Sequence, residues 1–265
     1  MSKRLLDEQI SGIIEKFHRD GVANVPGFLS GEECQNLRHL TDDIFDDEQK
    51  FKDSQHSNKL VISNPLLHHR VFADLFMCEP ILSLVESILG PECRFCGQSV
   101  IRNPPGETIS YWHIDDCNNL DFPLPDDVPR HDVRVVMPVF WLSVQIPLTD
   151  IDTLEDGPTE IVRGSHYSGR LVPTQDEPQF EGRGSEAIFC KAGAAYLFNH
   201  QIWHRGRPNQ SQRTRYLLQL QYTRDGTMAS RFQGSLDDPR LDAILRDADE
   251  RKLRVLGRTM PTYGM

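Results

Sequence analysis

The sequence predicts a mainly β protein with flanking helices, its centre folded as a sandwich or jelly roll. Three observations predict it. From Cys93 to Thr223, short runs rich in β-branched and aromatic residues follow one another, separated by turn residues. Ahead of Cys93, apolar residues recur at helical spacing. Past Ser235 a further helical stretch closes the chain. No repeat, linker or low-complexity tract divides the 265 residues, so one domain is expected. Its parts would be a helical lead-in (1–92), a β core (93–234) and a C-terminal helix (235–257).

Each element has its own signal. Leu5, Leu6, Ile10, Ile13, Ile14 and Phe17 share a helical face, and Gly21 ends that helix. VANVPGFLS follows as a short strand. Ser30 with Glu33 three residues on forms a capping box, which starts a helix running to about Ile44. The charged stretch DDEQKFKDSQHSNK is expected to be weakly ordered. Val71 to Leu89 reads as apolar helix with Gly90 as its stop, and Pro80 demands a break or a new start inside it. The β region then reads RFCGQSVIR, ISYWHID, VVMPVFWLSVQIPL, TEIVRG, EAIFCK, AAYLFN and RYLLQLQYT. Ser235 is placed to cap a last helix, about Asp237 to Leu256.

Composition narrows the function. A net charge of -10 without a basic patch speaks against a nucleic-acid partner. No apolar run approaches the roughly 18 residues of a membrane span. The N-terminus has no signal-peptide core, so no membrane partner and a cytoplasmic location are expected. Six scattered cysteines agree with a reducing compartment. Cys93 and Cys96 form a lone CxxC. In a strand that offset puts the sulfurs on opposite faces, and no second CxxC completes a zinc site, so two packed thiols are expected.

Chemistry concentrates in YWHIDD, Tyr111 to Asp116. In an extended segment His113 and Asp115 share a face, while Trp112 and Ile114 turn the other way. An imidazole and a carboxylate converging in this way supply two adjacent ligands of an octahedral metal. Asp116 would point away from His113. A third ligand must come from elsewhere, and LFNHQIWHRGRPNQSQRTRY offers both His200 and His204. Position favours His204, just before the turn Arg205 to Asn209, over His200. By itself an HxD triplet is a common surface pattern.

The ordered set HxD, DGPTEIVRGSH and WHRGRPNQSQRTRY resembles the phytanoyl-CoA dioxygenase family. Those are Fe(II)- and 2-oxoglutarate-dependent oxygenases with a double-stranded β-helix, a jelly-roll, cupin-like core. FHRDGVANVPGFLSGEEC resembles the family's helix–strand–helix lead-in, and VIRNPPGE its segment before the HxD strand, so the likeness covers most of the chain.

The resemblance implies a metal and catalytic set of His113, Asp115 and His204, with Fe(II), 2-oxoglutarate and O2 as cofactor and co-substrates. It places Arg215, eleven residues past His204 and after Asn209 in the turn, on the far carboxylate of 2-oxoglutarate. A guanidinium suits that task because it pairs bidentately with a carboxylate. Arg213, two residues earlier, is the runner-up. Gln145 and Gln98 lie in apolar strands and need partners; each is expected either to contact 2-oxoglutarate or to be satisfied in the core. The chain departs from the family's usual pattern at Arg163 before Gly164-Ser165-His166, at Gly193-Ala194 and at Arg205-Gly206. None of these touches the three ligands, and His166 is expected to brace a turn.

The implied activity is hydroxylation, or a related oxidation, of a small molecule, with release of succinate and CO2. A natural-product intermediate is preferred, because no basic patch is available for the phosphates of coenzyme A. Retention of Asp115 speaks against halogenation, which on this scaffold needs the carboxylate's place. The loop 116–133 is expected over the mouth of the barrel, its acids solvated. Three rivals remain: a cupin-like metalloenzyme that makes no use of 2-oxoglutarate, a catalytically silent binding protein on the same barrel, and a halogenase or oxidative cyclase, which product analysis would separate. Arg215 separates the first. The cost of keeping unused charges in a core opposes the second.

Overall fold

The computed structural model describes residues 5–258 apart from 26, 55–57, 116–119, 175–176 and 228–236. The lead-in holds α1 (Asp7–Asp20), β1 (Val22–Val25), α2 (Gly31–Asp46), α3 (Glu48–Asp53), β2 (Val61–Ser63), α4 (Arg70–Leu75) and α5 (Ile81–Leu89). The β region holds β3 (Arg94–Asn103), β4 (Trp141–Pro147), β5 (Thr159–Ile161), β6 (Glu186–Ala187), β7 (Ala195–Asn199), β8 (His204–Gly206) and β9 (Arg215–Thr223). Two short helices follow, α6 (Pro239–Leu245) and α7 (Glu250–Val255). Two antiparallel sheets result, a six-stranded one in the order β1-β7-β4-β9-β3-β2 and a three-stranded one in the order β6-β5-β8. This is the mainly β, jelly-roll arrangement with flanking helices that the sequence predicts.

Alternation along the central strands decides what faces what. On β9, Leu218, Leu220 and Tyr222 enter the main apolar core with the helices. Arg215, Leu217, Gln219 and Gln221 face the opposite way, into a cavity between the sheets. On β4, Leu142, Val144 and Ile146 take the core side and Gln145 the cavity side. An aromatic stack ties the sheet to its helices: Phe95 lies on Phe76 at 4.3 Å between centroids and meets Tyr222 edge-on at 5.5 Å. Such pairs contribute about 0.5–1.5 kcal/mol beyond burial.

Local signals explain most boundaries. Ser30 Oγ accepts from the Glu33 amide at 3.2 Å and the Ser30 amide donates to Glu33 Oε2 at 2.7 Å, so the capping box forms. Pro80 divides the apolar helical run into α4 and α5, standing at the N-cap of the second. Gly193 has a positive φ of 82°, and a Cβ there would stand 2.1 Å from the Leu29 carbonyl oxygen, so only glycine lets the β6–β7 turn meet the lead-in.

Several expectations need correction. The stretch DDEQKFKDSQHSNK is not wholly irregular, because Asp47 caps α3 by accepting from the Gln49 and Lys50 amides, both at 3.0 Å. The single C-terminal helix is two: Asp238 caps α6 and Asp249 restarts the chain as α7. The expected cap Ser235 lies outside the described residues, as does Asp116. VVMPVF is not strand; Pro138 cannot donate to a ladder and β4 begins only at Trp141. ISYWHID makes no continuous strand either, since its one pairing is a bridge between His113 and His204. β2 and β8 are each three residues long and went unpredicted.

Cys93 and Cys96 are buried free thiols, and burial pushes both up to about 12, as expected of packed side chains. Among the described residues no helix is long and apolar enough to cross a membrane.

Candidate active site

Two backbone hydrogen bonds join the segments that carry His113 and His204. The His113 amide donates to the His204 carbonyl at 2.9 Å, and the His204 amide returns the bond at 3.0 Å. Asp115 is held likewise, its amide donating to the His200 carbonyl at 3.0 Å. One bridge is thus enough to bring the three side chains together. Asp115 Oδ1 lies 3.7 Å from His113 Nε2 and 3.5 Å from His204 Nε2. Among the described residues these three form the one cluster able to hold a metal, with all ligand atoms within 4.8 Å of one another. Cis ligands at octahedral distances stand about 3 Å apart, so a small inward shift would complete the set.

Both rings are already set for a metal. Nδ1–H of His113 donates to the Tyr111 carbonyl at 2.6 Å, and Nδ1–H of His204 to the Ile202 carbonyl at 2.9 Å. The proton is thereby placed on Nδ1, which leaves Nε2 to face Asp115 as a ligand atom. Burial opposes ionisation of Asp115, but His204 and His113 beside it overcome that and hold the carboxyl well below its usual range. Burial likewise works against a charge on His113, yet Asp115 and the Tyr111 carbonyl raise it above its ordinary value. A cation is what this constellation favours, and a divalent metal would displace the protons that otherwise fill that need.

Behind the ligands the packing is specific. Ile114 turns away into a cluster with Val162, Tyr167 and Trp203. The Arg205 guanidinium lies 4.8 Å over the Trp112 ring and donates to Glu160 Oε2 at 2.6 Å. Residues next to each histidine are thus clamped to one another. Phe198 meets the His204 ring edge-on at 4.5 Å.

His113, Asp115 and His204 open onto a cavity of about 250 Å³, and Arg215 lines the same cavity. Arg215 is 4% exposed. Among the described residues its Nε has no partner, and the one hydrogen bond of its guanidinium is a long one, 3.3 Å, to Thr159 Oγ1. Burial lowers its pKa, with no carboxylate among the causes acting on it. A desolvated guanidinium in that state fits an anionic ligand, and a dicarboxylate spanning from metal to arginine meets both ends of the cavity.

Its supports are legible in the turn before it. Asn209 Nδ2 donates to the carbonyls of Asn103 and Arg213 at 2.9 and 2.7 Å, which fixes the entry to β9. Gly157 at φ 69° packs beneath, where a Cβ would stand 3.0 Å from Asn209 Cα. The runner-up Arg213 is spent elsewhere: it is 61% exposed and paired with Asp156 at 2.7 Å.

Of the two glutamines, only Gln145 reaches the cavity, where its Oε1 accepts from Gln219 Nε2 at 3.0 Å. Gln98 does not. It lies on the helix side of β3, with Nε2 donating to the Phe72 carbonyl at 3.0 Å, while its neighbours Ser99 and Ile101 take the cavity side. Gln219 and Gln221, which face the cavity, were missed although they share the strand parity of Arg215. His200 is also elsewhere: its Nδ1 bonds the Trp141 carbonyl, and Nε2 lies 3.2 Å from Asp121.

The segment from residue 120 onward is tied down locally. Arg170 donates to the carbonyls of Pro125, Val128 and Pro129 at 2.9, 2.6 and 3.1 Å, strapping that segment to the turn after β5. None of residues 120–133 lines the cavity.

His166 does brace a turn, donating from Nε2 to the His18 carbonyl at 2.9 Å, with Nδ1 enclosed and unpartnered. Burial depresses its pKa to about 4. The unfolded chain, with an ordinary value of about 6.5, therefore takes up the proton first. Stability from this group is complete above pH of about 6.5 and falls toward pH 4, by at most about 3 kcal/mol since part of the ring meets solvent. Urea unfolding at several pH values should show this loss in the wild type and a shallower one in His166→Gln.

Comparison with known proteins places this geometry. Residues 17–217 match the family model for phytanoyl-CoA dioxygenase (PhyH). HygX from Streptomyces hygroscopicus, solved with nickel and 2-oxoglutarate bound, has a TM-score of 0.62 at 18% identity, covering 84% of this chain and 88% of its own. SnoK, a non-heme alpha-ketoglutarate-dependent carbocyclase from nogalamycin biosynthesis, gives 0.63 at 16%, covering 92% and 93%. EctD from S. alaskensis, solved with 2-oxoglutarate and 5-hydroxyectoine, gives 0.63 at 21%, covering 86% and 78%. At such identities these likenesses speak for the jelly-roll fold, while the family match spans most of the sequence. The chain belongs to the phytanoyl-CoA dioxygenase family, the Fe(II)- and 2-oxoglutarate-dependent oxygenases that its motifs resemble.

Proposed function

We propose that the protein binds Fe(II) through His113, Asp115 and His204, anchors 2-oxoglutarate with Arg215, and hydroxylates or otherwise oxidises a small molecule. For hydroxylation the balance is one O2 and one 2-oxoglutarate consumed, with one oxygen atom in the product and one in succinate, and CO2 released. The observation that carries this reading is the buried, acid-free guanidinium of Arg215 in one cavity with the three ligands. When bound, iron would activate O2 with two electrons from the decarboxylation of 2-oxoglutarate, which would supply the oxidising power that an unactivated carbon requires.

The chain's own residues do the rest. His113 and His204 present Nε2 because their Nδ1 protons are tied to backbone carbonyls. Arg215 fixes the far carboxylate, and Gln145, oriented by Gln219, offers its amide nearby. Leu217 and Phe198 give the same cavity an apolar wall. That HygX has been solved with hygromycin B, and that SnoK comes from nogalamycin biosynthesis, supports a natural-product substrate.

The test is aerobic turnover with Fe(II), 2-oxoglutarate and a panel of small natural products. Succinate should form above the substrate-free rate, and for a hydroxylated product one oxygen should be gained. Succinate formation that is the same with and without iron would rule the reading out. Unchanged activity in Arg215→Met would favour the cupin-like metalloenzyme.

A further inference from the structure

The cavity holds more polar chemistry than the proposed ligands and anchor use. Antiparallel register groups its wall into rungs. Asn103 stands opposite Arg215, and Ile101 and Pro147 flank Leu217. Ser99 and Gln145 flank Gln219, and Gly97 and Ser143 flank Gln221. Each rung is about 7 Å from the next along the strand. Ser143 pairs in turn with Phe198, whose ring packs on His204, so the Gln221 rung lies at the ligand end, away from Arg215. Gln221 Oε1 is enclosed there with no partner among the described residues. A buried carbonyl oxygen in that state requires a donor.

The charges are already committed. The ionisable residues lining the cavity are His113, Asp115, His204, Arg205 and Arg215. Arg205 is paired with the buried Glu160, and the other four belong to the metal and co-substrate sites. Among the described residues none is left over for a charged substrate. On the sheet wall what remains is carboxamide and hydroxyl: Ser99, Gln219 and Gln221, set beside Leu217 and Phe198. A carboxamide donates and accepts, as a substrate hydroxyl does, so these groups match one another. A hydrocarbon chain would leave the Gln221 carbonyl oxygen unpaired, and a carboxylate or ammonium would find no counter-charge. The volume of about 250 Å³ must also admit 2-oxoglutarate, so a single ring or short chain enters.

From these observations, and resting on the function proposed above, we infer that the substrate presents a neutral, hydroxyl-rich unit such as a sugar or cyclitol ring, with Gln221 and Gln219 as its recognition residues.

The test uses protein loaded anaerobically with Fe(II) and 2-oxoglutarate, following the visible band of the chelated keto acid as probes are added. Methyl β-glucoside and myo-inositol represent the neutral polyols, octanoate the anionic chains and octylamine the cations. At least one polyol should perturb the band saturably, while octanoate and octylamine leave it unchanged. Gln221→Leu should weaken the polyol response about tenfold. Gln221→Glu keeps the shape and adds a charge, and should turn preference toward an amino-sugar analogue. A response to octanoate or octylamine with none to the polyols overturns the inference, as does silence from all four probes. Absence of the band itself, with iron bound, would instead remove the 2-oxoglutarate reading and this inference with it.

Discussion

Alanine at His113, Asp115 or His204 is expected to remove iron binding and to lower turnover at least about a thousandfold, equivalent to about 4 kcal/mol of transition-state stabilisation. The effect should be that large because, among the described residues, only these three are placed to hold the metal. Losing Asp115 in addition leaves two imidazoles 4.1 Å apart between centroids with no anion between them. The fold should survive, since these segments are held by backbone bonds that alanine retains. His200→Ala supplies the contrast. That ring is 1% exposed and bonds the Trp141 carbonyl outside the cavity, so its loss should cost stability and leave iron binding in place. Metal content after anaerobic loading checks both. Loss of iron in His200→Ala with retention in His204→Ala would reverse the ligand assignment.

Arg215→Met is expected to raise the half-saturating concentration of 2-oxoglutarate about a hundredfold, the loss of roughly 3 kcal/mol from a charge-assisted, bidentate contact. The same substitution should stabilise the ligand-free protein. Arg215 buries a charge with no acid beside it, and replacing a buried ionic group with a packed apolar one is often stabilising by about 1–4 kcal/mol. A function-bearing residue that destabilises its own fold is the signature of a site built for a ligand. In thermal melts, 2-oxoglutarate at a hundred times its dissociation constant should stabilise the metal-loaded wild type by about 2.7 kcal/mol and barely move the variant. A variant less stable than wild type when ligand-free would mean that Arg215 has a structural partner instead.

Much of this was legible because local chemistry agrees with tertiary demand. Ser30 and Glu33 cap a helix by themselves, and RYLLQLQYT alternates because one face meets helices and the other a polar cavity. Gln98 misled for the opposite reason. β3 is buried on both faces along nearly its whole length, so nothing in its residues distinguishes the helix side from the cavity side. The same alternation in β9 that turns Arg215 into the cavity also marks Gln219 and Gln221, a signal present in the sequence and unused. The strand expected at ISYWHID shrinks to a single bridge because its partner β8 is three residues long, and no local propensity reports the length of a partner. His113 and Asp115 still converge, since an extended backbone over three residues is all that their shared face requires.

The central claim is that one cavity chelates iron and 2-oxoglutarate together, with Arg215 at the far end. Its most direct test is an anaerobic titration of the apo-protein, Fe(II) first and 2-oxoglutarate second, read by visible absorption. A weak metal-to-ligand charge-transfer band should grow in the wild type and require about a hundredfold more 2-oxoglutarate in Arg215→Met. Iron that binds stoichiometrically and gives no such band at saturating 2-oxoglutarate would contradict the account.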